Sequence, residues 1–166
     1  MRELALIVHN VRSAHNVGSI LRTADGLGVD TVYLSGYTPY PSQKDDDRLP
    51  HIRAKIEARI HKTALGAEKT IFWKHASEIE PVLADLRRRG FEIVALEQTE
   101  AATPISGLSG WHKLALIVGS EVGGLEKSVM NMTDRQIMIP MSGSKESFNV
   151  AIAAAIAIYH LKRLDS

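Results

Sequence analysis

Short runs of Val, Ile and Leu, each four to six residues long, recur along this chain with helical patterns between them. That alternation constrains the fold more than any other feature. The runs cover residues 4–8, 31–34, 91–96, 114–118 and 136–139, with a weaker one at 70–73. Their near-continuous hydrophobicity implies strands buried on both faces. The clearest helical pattern spans 77–89, where Ser77 and Glu80 stand at capping-box spacing and Val82, Leu83 and Leu86 form an apolar stripe before Gly90. Strand and helix in alternation predict an α/β fold, a mostly parallel sheet with helices on both faces, with ligands bound beyond the carboxyl ends of the strands. The last helix, about 148–164, is apolar nearly all round. A deep core position and a dimer interface would both account for that.

A length of 166 residues, 45% of them hydrophobic, suits one domain over 1–166, and no repeat or linker divides it. Residues 35–50 hold Pro39, Pro41, Pro50 and the run Asp45, Asp46, Asp47, and read as a mobile loop. The net charge of +1 lacks the bias of a dedicated nucleic-acid binder, so any such contact has to be a local patch. The absence of cysteine excludes disulfides, thiolate metal sites and attack on a base through a cysteine adduct. The seven histidines include no H-x-x-x-H pair, and no metal is expected. Residues 1–9 lack a basic leader region, and no segment approaches the roughly 20 apolar residues of a membrane span. A cytoplasmic protein without membrane contact is expected.

Three blocks carry polar residues where these strands should end. In the first, Asn10 to Ala24, a polar turn leads into a helix with Arg22 on its early turns. Asn16 would cap the helix or bind a ribose hydroxyl, and Arg22, near amides that favour anions, is suited to a phosphate; a capped helix with a surface arginine explains the same residues. In the second, a buried strand breaks into Gly119-Ser-Glu121-Val-Gly-Gly124. This is neither a dinucleotide fingerprint nor a P-loop, so a nucleoside fits better than a phosphate cradle, beside the plain alternative of a strand-to-helix turn. In the third, Ile139-Pro-Met-Ser-Gly143 passes through a polar turn to Ser147-Phe148-Asn149 at the start of the last helix. Ser147 there is a capping residue or a site residue, and Asn149 falls just inside the helix.

Together, Asn16-x-Gly18-x-x-x-Arg22-Thr-Ala, Gly119-x-Glu121-x-x-Gly124, and Ile139-Pro-Met-x-Gly143 followed by Ser147-x-Asn149-Val resemble the SpoU/TrmH family of the SPOUT methyltransferases. The segments Lys62-Thr-Ala-Leu-Gly66-Ala67 and Ala95-Leu96-Glu97-Gln98 extend the likeness; Phe148 stands where a leucine is usual. The resemblance implies a carboxyl-terminal trefoil knot, a homodimer, and transfer of a methyl group from S-adenosylmethionine to an RNA ribose 2′-hydroxyl. It implies that Arg22, Asn16, Glu121, Ser147 and Asn149 form the catalytic pocket and that Leu96, Gly119, Ile139 and Phe148 hold the donor. Arg22 would face the donor of the neighbouring subunit. A guanidinium is always protonated, so phosphate binding and hydroxyl orientation suit it better than general-base work.

For RNA, residues 51–62 place Ile52, Ile56 and Ile60 at intervals of four beside Lys55, Arg59 and Lys62, with Arg48 and Arg53 nearby. A basic RNA-binding face and an ordinary solvated face both fit, since Glu57 interrupts the row. tRNA is favoured slightly over rRNA by the compact length. An RNA-binding or assembly protein that keeps the fold without turnover is the competing reading, and intact Asn16, Arg22, Glu121 and Asn149 argue against it. A base-nitrogen methylator is disfavoured by the first block.

Overall fold

The computed structural model describes residues 2–163. Met1, the first residue of the run 1–9, and Leu164, at the end of the expected last helix, lie outside them. In chain order the elements are β1 (Glu3–His9), α1 (Ala14–Gly26), β2 (Thr31–Ser35), α2 (Pro50–Ala64), α3 (Ala67–Thr70), β3 (Trp73–Ala76), α4 (Glu80–Arg88), β4 (Glu92–Leu96), β5 (Thr103–Pro104), β6 (Lys113–Val118), α5 (Lys127–Met130), β7 (Arg135–Met138) and α6 (Val150–Arg163). The seven strands form one sheet in the order β3-β2-β1-β6-β4-β7-β5, and every neighbouring pair is parallel.

Successive side chains of a strand face opposite ways, so β1 shows how the core divides. Leu4, Leu6 and Val8 pack with α1, Ile60 and Ala64 of α2, and α6 on one face. Ala5 and Ile7 pack with Val82, Leu83 and Leu86 of α4 and Val129 of α5 on the other. Helices therefore cover both faces, as the sequence predicts. No helix among the described residues is long and apolar enough to cross a membrane.

Several local expectations are corrected. The weak strand at 70–73 forms instead at Trp73–Ala76, because Thr70 closes α3. The expected capping box at Ser77 is unused: α4 starts at Glu80 with Pro81 in its first turn and no side-chain cap. Proline's fixed φ and missing N–H suit that position and set the start. Ser13, not Asn16, caps α1 by accepting from the Asn16 amide at 3.2 Å. Arg22 is therefore the ninth helical residue rather than on an early turn, about 12 Å along the axis from the helix start.

The loop before α2 is irregular but pinned. The Arg48 guanidinium donates to Asp46 and to the Tyr40 and Pro41 carbonyls, and lies over the Tyr40 ring, whose other face stacks on His75. Hydrogen bonds from Arg48 hold the Asp46 carboxyl well below the usual carboxylate range.

Helices α1 and α2 cross at Gly18. A Cβ there would lie 2.2 Å from Thr63 Oγ1 and 2.3 Å from the Ile60 carbonyl oxygen. Backbone cannot yield as a flexible side chain does, so Gly18→Ala is expected to lower stability by about 1–3 kcal/mol. A fall of several degrees in the melting temperature by circular dichroism would show it; an unchanged midpoint would mean that the crossing tolerates a wider spacing.

Candidate functional site

The carboxyl ends of β4, β6 and β7 lie side by side, because β4 pairs with both of the others. Beyond them opens a cavity of about 320 Å³, walled by Leu96 to Gln98 after β4, by Val118 to Glu121 with Gly123 and Gly124 after β6, and by Met138, Ile139 and residues 146–148 after β7, with Val150 and Ala153 of α6. Of the nine residues expected to form a catalytic or donor site, Leu96, Gly119, Glu121, Ile139, Ser147 and Phe148 line it.

Glu121 is the hub. Its carboxylate accepts from the backbone N–H groups of Arg12 at 3.0 Å and Ser13 at 3.1 Å, and from Asn16 Nδ2 at 2.9 Å. Asn16 Oδ1 in turn accepts from Asn149 Nδ2 at 3.3 Å. Asn149 is the cap of α6 rather than a residue inside it: its Oδ1 accepts from Ala151 N at 2.9 Å, which also leaves Ser147 free of that duty. All three sequence blocks thus meet through one chain of side chains. Partial burial pushes the Glu121 carboxyl up, but the bonds from Arg12, Asn16 and Ser13 outweigh it and hold the group below its ordinary value.

The glycine-rich turn is shaped by close approaches. A Cβ on Gly119 would lie 2.8 Å from the Gly124 carbonyl carbon, and Gly124, at φ +64°, lies so near the Glu97 carboxylate that a Cβ would come within 2.2 Å of it. Glu97 accepts from Leu125 N at 2.8 Å, and Gln98 donates to the Ile139 carbonyl at 2.7 Å. These two residues knit the three strand ends together, a role the sequence did not single out. The signals were two polar residues directly after a buried strand and the family likeness of Ala95-Leu96-Glu97-Gln98. Glu97, Glu121 and Glu146 line the cavity without a Lys, Arg or His beside them, while Leu96, Val118, Ile139 and Phe148 supply apolar wall. That combination fits a ligand with an apolar ring and a net positive charge.

Arg22 is not at this cavity. It lies six residues beyond Asn16, about 9 Å further along α1 and about 120° round it, and its side chain is exposed. Thr63 bonds the His15 carbonyl and Thr70 bonds the Asp25 carboxylate, so Arg22 emerges beside the turn between α2 and α3. Lys55, Arg59 and Lys62 are exposed along α2 and Arg53 is half-buried. Arg48, expected among them, instead staples its own loop. Among the described residues no group of His, Cys, Asp or Glu could hold a metal ion.

The profile of the SpoU rRNA Methylase family matches residues 3–159. The chain is 30% identical over 164 residues to the 23S rRNA (guanosine-2'-O-)-methyltransferase RlmB of Nitrosomonas europaea, covering 98% of this chain and 57% of that protein. It is 28% identical over 162 residues to the tRNA (guanosine(18)-2'-O)-methyltransferase of Aquifex aeolicus, covering 98% of this chain and 70% of that one. The chain therefore spans little more than half the length of the first relative. In fold it is similar to the SpoU methyltransferase AviRb from Streptomyces viridochromogenes, solved in complex with the cofactor AdoMet, with a TM-score of 0.82 at 21% identity over 98% of this chain and 58% of that one.

Proposed function

The chain belongs to the SpoU methylase family, and from that premise we propose that it transfers the methyl group of S-adenosylmethionine to a ribose 2′-hydroxyl of RNA, with tRNA favoured over rRNA. The observation that carries this is the meeting of the three blocks at one cavity through Glu121, Asn16 and Asn149. The relatives' named activities on tRNA and 23S rRNA support the chemistry.

The donor, when bound, supplies a methyl group activated by its positive sulfur. Leu96, Gly119, Ile139 and Phe148 would hold it by backbone groups and apolar contact. The Phe148 ring, in the place of a leucine, would alter the packing around the donor. The three glutamates around the cavity favour a cationic ligand. Asn16, Ser147 and Asn149 would orient the ribose, and Glu121 keeps Asn16 and the turn before α1 in place. Positioning and local electrostatics can supply most of the acceleration without a strong base.

Arg22 points away from its own subunit's cavity, which supports a homodimer in which it serves the neighbour's. A second support is the exposed apolar stripe of Ile152, Ile156 and Tyr159 on α6. We read residues 139–149 as threaded beneath the 119–124 turn, giving the trefoil knot; that both segments wall one cavity supports this. Lys55, Arg59 and Lys62, with Arg53 beside them, would meet RNA phosphates.

Labelled methyl from S-adenosylmethionine should pass to total tRNA, and nucleoside analysis should return a 2′-O-methylated nucleoside. Product in rRNA alone would reverse the substrate preference. Donor binding with no transfer to either RNA would sink the enzyme reading in favour of a binding or assembly protein.

A further inference from the structure

Just after the glycine-rich turn, a second set of polar side chains meets the connection between β1 and α1 that Glu121 also contacts. Asn10 follows β1 in the left-handed region at φ +54°, which asparagine tolerates better than most residues. Its Oδ1 accepts from the Tyr37 backbone N–H at 3.1 Å, and because that partner can only donate, the orientation of the amide is fixed. Both hydrogens of Nδ2 are then directed elsewhere, one to His9 Nε2 at 3.1 Å and one to Glu126 Oε1 at 3.2 Å. His9 Nε2 must therefore carry a lone pair, so Nδ1 bears the proton and donates to Ser35 Oγ at 2.9 Å. Burial lowers the His9 pKa against the pull of Glu126 and Glu80, which keeps the ring in that neutral form.

The result is a chain of bonds from Ser35 through His9 and Asn10 to Glu126, the residue that begins α5 and makes no capping bond of its own there. A Cβ on Gly36 would lie 1.9 Å from Asn10 Oδ1, so the absence of a side chain there is what makes room for the amide.

Leu125, next to Glu126, is buried in the core, but the tip of the turn before it has little burial to hold it. Residues 121–123 are exposed, Val122 by 76%. Besides the Ser120–Gly124 bridge across its base, three carboxylates tie it down: Glu121 to the start of α1, Glu97 to Leu125 N, and Glu126 to Asn10. Asn10 lines no part of the cavity.

We propose that Asn10 is a positioning residue for the donor pocket, fixing the exit of the glycine-rich turn through Glu126, so that donor affinity depends on a side chain the donor never touches. This rests on the reading of the cavity as the donor site. Asn10→Asp keeps the tolerance for positive φ and the acceptor for Tyr37 N, but sets a carboxylate against Glu126. Adding Glu126→Gln to Asn10→Asp places an amide donor opposite that new carboxylate, restoring the link to residue 126 with its polarity reversed, while His9 Nε2 can meet the carboxylate by taking up a proton.

Calorimetric titration with S-adenosylmethionine should give a Kd about tenfold or more weaker for Asn10→Asp, recovery to within about threefold of wild type in the double variant, and near wild-type binding for Glu126→Gln, whose side-chain oxygen still accepts. A purely structural role would lower the melting temperature of Asn10→Asp without this pattern in Kd. Wild-type affinity in Asn10→Asp, or no recovery in the double variant, overturns the proposal. If the wild type itself binds no donor, the donor reading fails, and amide hydrogen exchange over residues 119–125 in the ligand-free proteins decides the anchoring separately. Faster exchange in Asn10→Asp than in the double variant supports the anchor, and equal exchange rejects it.

Discussion

The Arg22→Ala protein is expected to bind S-adenosylmethionine as the wild type does and to methylate RNA about a hundredfold more slowly, the scale of losing one charged group aimed at the reacting centre. Arg22 is exposed in mid-helix, so its removal should change stability by less than about 0.5 kcal/mol. A loss of activity would then not be a loss of fold. Because it faces away from the cavity of its own chain, the defect should be repairable by mixing. In the proposed homodimer, pairing Arg22→Ala with a subunit crippled at Glu121 would leave one cavity with an intact Glu121 facing an intact Arg22. Recovery of transfer in the mixture, where neither parent alone is active, is the predicted result. Weakened donor binding in Arg22→Ala, or no recovery on mixing, would sink the assignment of Arg22 to the neighbouring site.

Glu121→Gln should be damaging in a different way. The carboxylate accepts three bonds with two oxygens, two of them from backbone N–H groups that cannot reorient. A glutamine offers one oxygen and turns an N–H₂ group towards a donor. Transfer should fall by about a hundredfold or more, donor affinity should fall with it because Glu121 lines the cavity, and stability should drop by about 1–2 kcal/mol after allowance for exposure to water. The stability difference has a pH signature. The folded-state pKa of Glu121 lies below its unfolded value, so its contribution is complete above the ordinary glutamate range near about 4.3 and disappears as pH falls through the folded value. Urea unfolding of both proteins at pH 7 and at successively lower pH should show the gap narrowing only below that range. A gap unchanged into strong acid would mean that the carboxylate charge is not what the turn depends on.

What the sequence disclosed was governed by burial. Strands β1 and β6 are buried almost end to end, so their apolar runs stood out. Edge strand β3 carries Lys74 and His75 and is only partly covered, which left the apolar Ile71 and Phe72 to draw the expected strand three residues too early. The three blocks and the cavity residues Leu96, Gly119, Ile139 and Phe148 were legible through family likeness. Their partners were not. Nothing in the spacing shows that Glu121 reaches back to Arg12 and Ser13, or that Asn10 reaches forward to Glu126, 116 residues away. Nor does charge alone reveal that Arg48 is consumed by Tyr40 and Asp46. Such pairings belong to the order of strands, in which β6 comes between β1 and β4.

The bond between Asn16 and Asn149 joins positions 133 residues apart, and the cavity draws its last wall from residues 138–153. As the protein is synthesised, the helix bearing Arg22 and the strand before it emerge early, yet this cavity is incomplete until residues 138–153 have left the ribosome. Contacts of such long separation also slow the search for the native state. On the function proposed above, a chain made only as far as α5 would present the basic surface of α2 but lack the last wall of the cavity, so methyl transfer would wait on residues 138–153.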